Sequence, residues 1–141
     1  MENEKQTENF ENQLTSAAVG FLQESAKWSK FMAIIGFIGI GLMVLVSLFM
    51  AIGFGVMGAS KMPDLPVSMS VFSIIYVLFA AIYFFPVYYL YQYATKTSAA
   101  LHSKNNQLLA DGLENLKSHH KFLGIFTLII ISLYGFIFVF A

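Results

Sequence analysis

The sequence has no cysteine and no arginine, and only three prolines and a single tryptophan. Without cysteine there can be no disulfide, no thiolate nucleophile and no cysteine-ligated metal. All eight basic residues are lysine, so no guanidinium can grip phosphate or carboxylate bidentately, and nucleic acid is a poor expectation as a partner. Charge is scarce as well: charged residues are 11% of the chain, they cancel to zero, and none falls inside the long apolar runs.

What is present is apolar. Hydrophobic residues are 57% of the chain, and they gather in three blocks of a length that suits a lipid bilayer better than a soluble core. The first, residues 31–58, passes 28 positions without a charge and would reach ~42 Å as a helix, longer than the ~30 Å hydrocarbon core. The second spans about 67–91 and the third about 122–141. A cleavable signal peptide does not fit the first block, which is too long and follows an acidic segment. These runs predict an all-α integral membrane protein with three transmembrane helices plus amphipathic interfacial or cytoplasmic helices.

The lysines set the expected threading. Lys5, Lys27 and Lys30 precede the first span, and Lys96, Lys104, Lys117 and Lys121 lie between the second and third, whereas Lys61 alone sits in the short first loop beside Asp64. Cytoplasmic flanks are enriched in lysine, so the amino terminus and the 92–121 connector are expected in the cytoplasm and the carboxyl terminus outside.

Residues 1–13, "MENEKQTENFENQ", are acidic and almost free of large apolar groups, which predicts a disordered tail. Residues 14–141 then form one three-span domain. Over 14–30 the residues Leu14, Ala17, Ala18, Phe21, Leu22 and Trp28 share a helical face, continued by Met32, with Lys27 and Lys30 opposite and Thr15 or Ser16 as cap. This amphipathic helix is expected in the membrane interface or packed within the chain, with Trp28 at headgroup depth and the lysines reaching for water and lipid phosphate. A docking helix for a partner protein is the alternative.

Two small-residue patterns mark the first span: Gly36, Gly39 and Gly41 in one half, and Ser47, Ala51, Gly55 and Ala59 at four-residue spacing in the other. Small residues let helices approach closely in lipid, and the second set is the candidate packing or association face. "PDLP" at 63–66 predicts a turn. The aromatic stretch "YFFPVYYLYQY" at 83–93 then falls at the cytoplasmic end of the second span, where Tyr88, Tyr89, Tyr91 and Tyr93 join Trp28, Lys27 and Lys30 as expected interface anchors. Pro86 is expected to kink that helix, because it has no N–H for the Ile82 carbonyl. A ligand or lipid pocket at the kink is the sharper reading.

In the connector, "KNN" at 104–106 predicts a turn with Asn106 capping the next helix, whose stripe reads Leu109, Leu113, Leu116, His120 and Leu123. With its neighbours it would make a cytoplasmic helical cap. His119 and His120 invite a metal site with His102, Asp111 and Glu114, but adjacent helical residues point ~100° apart, and neither histidine has a ligand partner at three or four residues. No metal, cofactor or catalytic residue is expected. Nor does any span carry an ionisable side chain of the kind that marks an ion pathway.

The segments "SAKWSKFMAIIGFIGIGLMVL", "YFFPVYYLYQYATKTSAAL" and "GLENLKSHHKFLGIF" together resemble a bacterial domain-of-unknown-function family of small three-span integral membrane proteins, over about residues 14–137. The resemblance implies a bacterial cytoplasmic membrane and brings no reaction or cofactor with it. The function expected is non-enzymatic: an accessory, scaffold or regulatory subunit whose partners are the lipid bilayer and either itself or another membrane protein. A homo-oligomeric channel or small-molecule exporter is the alternative.

Overall fold

The computed structural model describes residues 1–5, 8, 14–57 and 69–140, with 54–57 and 69–70 described for backbone only. The described residues hold three long helices: α1 (Ser16–Met57), α2 (Met69–Ser103) and α3 (Asn106–Phe140). Each is long and apolar enough to cross a membrane, so the chain is an all-α, multi-pass membrane protein. At 42, 35 and 35 residues the helices extend about 63, 52 and 52 Å, all well beyond the ~30 Å hydrocarbon core.

The amphipathic segments are continuous with the spans. Residues 16–30 belong to α1 with no break before the apolar run, and the two halves of the 92–121 connector are the end of α2 and the start of α3. In the expected tail, residues 2–5 form a single helical turn, closed by Lys5 N–H on the Met1 carbonyl, with the terminal amine 3.8 Å from Glu4. Residues 6, 7 and 9–13, like the 63–66 turn and Ala59, lie outside the described residues.

Local chemistry explains the helix ends. Thr15 caps α1: its Oγ1 accepts the Ala18 N–H and its carbonyl accepts the Val19 N–H. Between α2 and α3 only two residues intervene. Lys104 takes the left-handed conformation, φ 51°, and the Asn105 N–H then returns to the Ala100 carbonyl, six residues forming a Schellman closure. Asn105 caps α3 in turn, its Oδ1 accepting the Leu108 N–H. The cap is therefore Asn105 and not the expected Asn106: with Lys104 in the left-handed region, the chain needs only one more residue to enter the next helix.

The chain forms two compact units, one of Met1–Ala33 with Pro86–Ala141, the other Ile34–Phe85. In the first, the amino-terminal part of α1 and the hairpin of α2 and α3 make a three-helix cap. Its distal core is Ala100 and Leu109, with Leu14, Val19, Leu22, Leu101 and Leu108 packed around them. Along α1 the less exposed positions here include the series Val19, Leu22, Ala26, Ser29 and Ala33, spaced three and four apart as in a left-handed coiled coil, with Ala18 and Gln23 half-buried beside it. Of the expected apolar face, Leu14, Ala18 and Leu22 are half-buried in the cap, while Phe21 (73%) and Trp28 (61%) are exposed.

In the second unit, small residues again carry the contact. Ser47 (2% exposed), Ser73 and Ala80 are buried, and Phe37 meets Phe84 with ring centres 5.9 Å apart. The Ser73 hydroxyl donates to the Ser47 carbonyl at 2.9 Å, while the Ser47 hydroxyl donates to the Val44 carbonyl at 2.7 Å. Both hydroxyls are thus satisfied inside the apolar stretch, as a solvent without hydrogen bonds demands. Large apolar side chains such as Leu45, Phe49, Ile74 and Leu78 face outward, which suits lipid.

Candidate functional site

The part of the molecule richest in polar side-chain contacts is the cap where it approaches the apolar runs. Two polar contacts and one close steric approach tie its helices together. The Ser25 and Tyr93 hydroxyls share a hydrogen bond of 3.0 Å between α1 and α2. One turn farther along α2, Thr97 lies against Gly112 of α3 so closely that a Cβ on Gly112 would fall 2.6 Å from Thr97 Oγ1 and 3.1 Å from its backbone nitrogen. At the membrane-proximal end, His119 Nδ1 lies 2.7 Å from the Pro86 carbonyl. A carbonyl only accepts, so this nitrogen carries the proton and donates.

Thr97 is fully buried, and its hydroxyl has no hydrogen-bond partner among the described residues. The hydroxyl lies beside Gly112, in the space that a Cβ on that residue would take. α3 turns one face into the cap. The face directed inward is Leu109, Gly112, Leu116, His119 and Phe122, whereas Leu113, His120 and Leu123, expected in the stripe, are exposed. Leu109 and Leu116 of the stripe are thus on the packed face, while its other three members stand one position away from Gly112, His119 and Phe122.

The expected anchors divide. Lys27, Lys30 and Trp28 are exposed on α1, Tyr88 is exposed on α2, and Tyr89 and Tyr91 are half-buried. Tyr93 differs: at 1% exposure, with its hydroxyl on Ser25, it is a core residue of the cap and not an anchor. Pro86 sits inside α2, and its carbonyl is the acceptor for His119. Of the expected association face, Ser47 is buried within the chain and Ala51 is exposed, while Gly55 is described only as helical backbone.

The histidines do not converge. His102 and His120 donate from Nδ1 to the carbonyls of Ser98 and Leu116, four residues back in their own helices, and only His119 reaches another helix. Among the described residues no three His, Asp or Glu side chains come together as a metal site would need. The sequence reading passed over Thr97, Gly112 and Ser25. Only the lone glycine within an otherwise good helix-forming segment could have pointed to the crossing.

Searches of protein-family models, curated proteins and solved structures found no match for this chain. The class defined by the fold is a multi-pass helical membrane protein with an extended three-helix cap.

Proposed function

We propose that the protein is a non-enzymatic accessory or scaffold subunit that associates within the membrane with a second membrane protein or with further copies of itself. One observation supports this reading above others. Gly39, Gly41 and Gly53 of α1 and Gly124 and Gly135 of α3 lie in apolar stretches, and a Cβ on any of them would meet no other atom within 4 Å. Gly112, in the cap, is by contrast spent on a contact inside the chain. Glycine is a poor helix former, and its use in lipid is to let another helix approach. The placement that goes with this reading is a bacterial cytoplasmic membrane, with amino terminus and cap in the cytoplasm and carboxyl terminus outside. Its support is the lysine asymmetry and the family resemblance.

The test is native mass spectrometry of the protein extracted with its lipid in a polymer disc from its host. A second membrane protein in fixed ratio supports the accessory role, and self-association of any order supports the scaffold. A lone monomer overturns both, and a closed ring with measurable ion flux would replace them with a channel. Gly41→Leu and Gly53→Leu, separately and together, are expected to weaken the assembly while leaving insertion intact.

A further inference from the structure

On the outer face of α1 an open groove of about 600 Å³ is lined by Gly20, Gln23, Glu24, Lys27, Trp28 and Phe31. Apart from the half-buried Gln23 its lining lies outside the cap's packing, whose series of inward positions in this segment is Val19, Leu22, Ala26, Ser29 and Ala33. Its polar groups are uncommitted. Among the described residues Glu24 and Lys27 form no ion pair, although they stand three residues apart, and the Trp28 indole N–H has no acceptor. The Trp28 ring is held edge-on against Phe31, centres 6.0 Å apart at 85°.

The order of these groups along the helix is chemical. Phe31 opens the apolar run, so it marks the hydrocarbon side. One turn away from it come two donors, the Lys27 ammonium and the Trp28 indole N–H. A turn farther from the apolar run come an acceptor, the Glu24 carboxylate, and the Gln23 amide. Acyl chain, phosphate, then ammonium is the order of a zwitterionic phospholipid read outward from the bilayer. Lys27 and Glu24 are separated by about 4.5 Å along the axis, a step spanned by the two-carbon bridge between the phosphate and the amine. Gly20 leaves the outer end open.

We propose that this groove holds the headgroup of a phospholipid bearing a primary amine, its phosphate on Lys27 and Trp28 and its ammonium on Glu24. A purely anionic headgroup would place negative charge against Glu24. A quaternary ammonium has no N–H to donate to that carboxylate. The charge order thus selects among lipids, whereas a bare lysine patch would favour any anion. The inference requires Trp28 to lie at the bilayer surface and is independent of whether the protein assembles.

Because Trp28 is the only tryptophan, its fluorescence reports the site without labelling. The full chain is reconstituted in phosphatidylcholine vesicles into which phosphatidylethanolamine or phosphatidylglycerol, brominated near the carbonyl end of the acyl chains, is titrated. The expected result is quenching by the ethanolamine lipid about threefold above that given by its mole fraction, the scale of one surface charge-assisted contact. The glycerol lipid should show no excess. Glu24→Gln should abolish the ethanolamine excess with the circular dichroism unchanged, and Lys27→Gln should lower it. Quenching that follows mole fraction for every lipid, an excess that survives Glu24→Gln, or a preference for the anionic lipid would each overturn the proposal. Absence of quenching by any brominated lipid would overturn both the site and the placement of Trp28 at the surface.

Discussion

Thr97 and Gly112 meet at a point where one added methyl group has nowhere to go. Gly112→Ala would place its Cβ against Thr97 Oγ1 and close to the Thr97 backbone nitrogen, so α2 and α3 must separate. Overpacking of this kind typically costs ~1–3 kcal/mol, and thermal unfolding in detergent should register it as a lower midpoint. Thr97→Ala combined with Gly112→Ala should recover part of the loss but not all, because the backbone nitrogen remains. Thr97→Val removes a buried hydroxyl that has no partner and should raise stability by about 1 kcal/mol. His119→Leu should lower it by about 1–2 kcal/mol, since it deletes a donor to the Pro86 carbonyl across two helices. None of these pairings was legible beforehand: a hydroxyl facing a glycine leaves no periodic trace, and His119 and His120 look equivalent until the rotation of α3 is known.

The hairpin between α2 and α3 is decided by Lys104 and Asn105. A lysine in the left-handed region is strained where glycine would not be, so Lys104→Gly should stabilise the turn by about 0.5–1 kcal/mol. Loss of the Asn105 cap by substitution with alanine should cost ~1 kcal/mol, seen as faster amide exchange at residues 106–109. At this scale the sequence is informative about existence and poor about rotation. Helical periodicity found the amphipathic stretches, and Thr15 was among the caps expected. Yet the α3 stripe was only partly right: Leu109 and Leu116 lie on the packed face, whereas Leu113, His120 and Leu123 stand one position off it. The offset has one cause: in α3 hydrophobicity was taken to mark the packed face, whereas these helices meet largely through Ala26, Ala33, Ser47, Ala80 and Gly112, residues with little side chain.

For the whole chain, three spans could be read directly, because charge-free runs of this length have one stable use in a bilayer. What could not be read is that the leucine-rich half of the connector runs unbroken into the third span, since continuity of a helix depends on the absence of a breaker and not on any positive signal. The threading rests on seven lysines against one. A reporter active only outside the cytoplasm should give signal when fused at the carboxyl end and none when fused at the amino end, and the reverse pattern would invert the orientation.

α3 carries a mechanical consequence. From Asn106 to Phe140 it is one unbroken helix within one compact unit, with no proline. Its first 16 residues, up to Lys121, form an arm of about 22 Å outside the apolar run. A rigid rod cannot lean inside the bilayer without sweeping its far end. A change of ~10° in tilt, well within the range that bilayer thickness imposes, would carry the Lys104–Asn105 tip sideways by about 4 Å. A lever of this kind turns a change in the lipid into a displacement that anything touching the tip would feel.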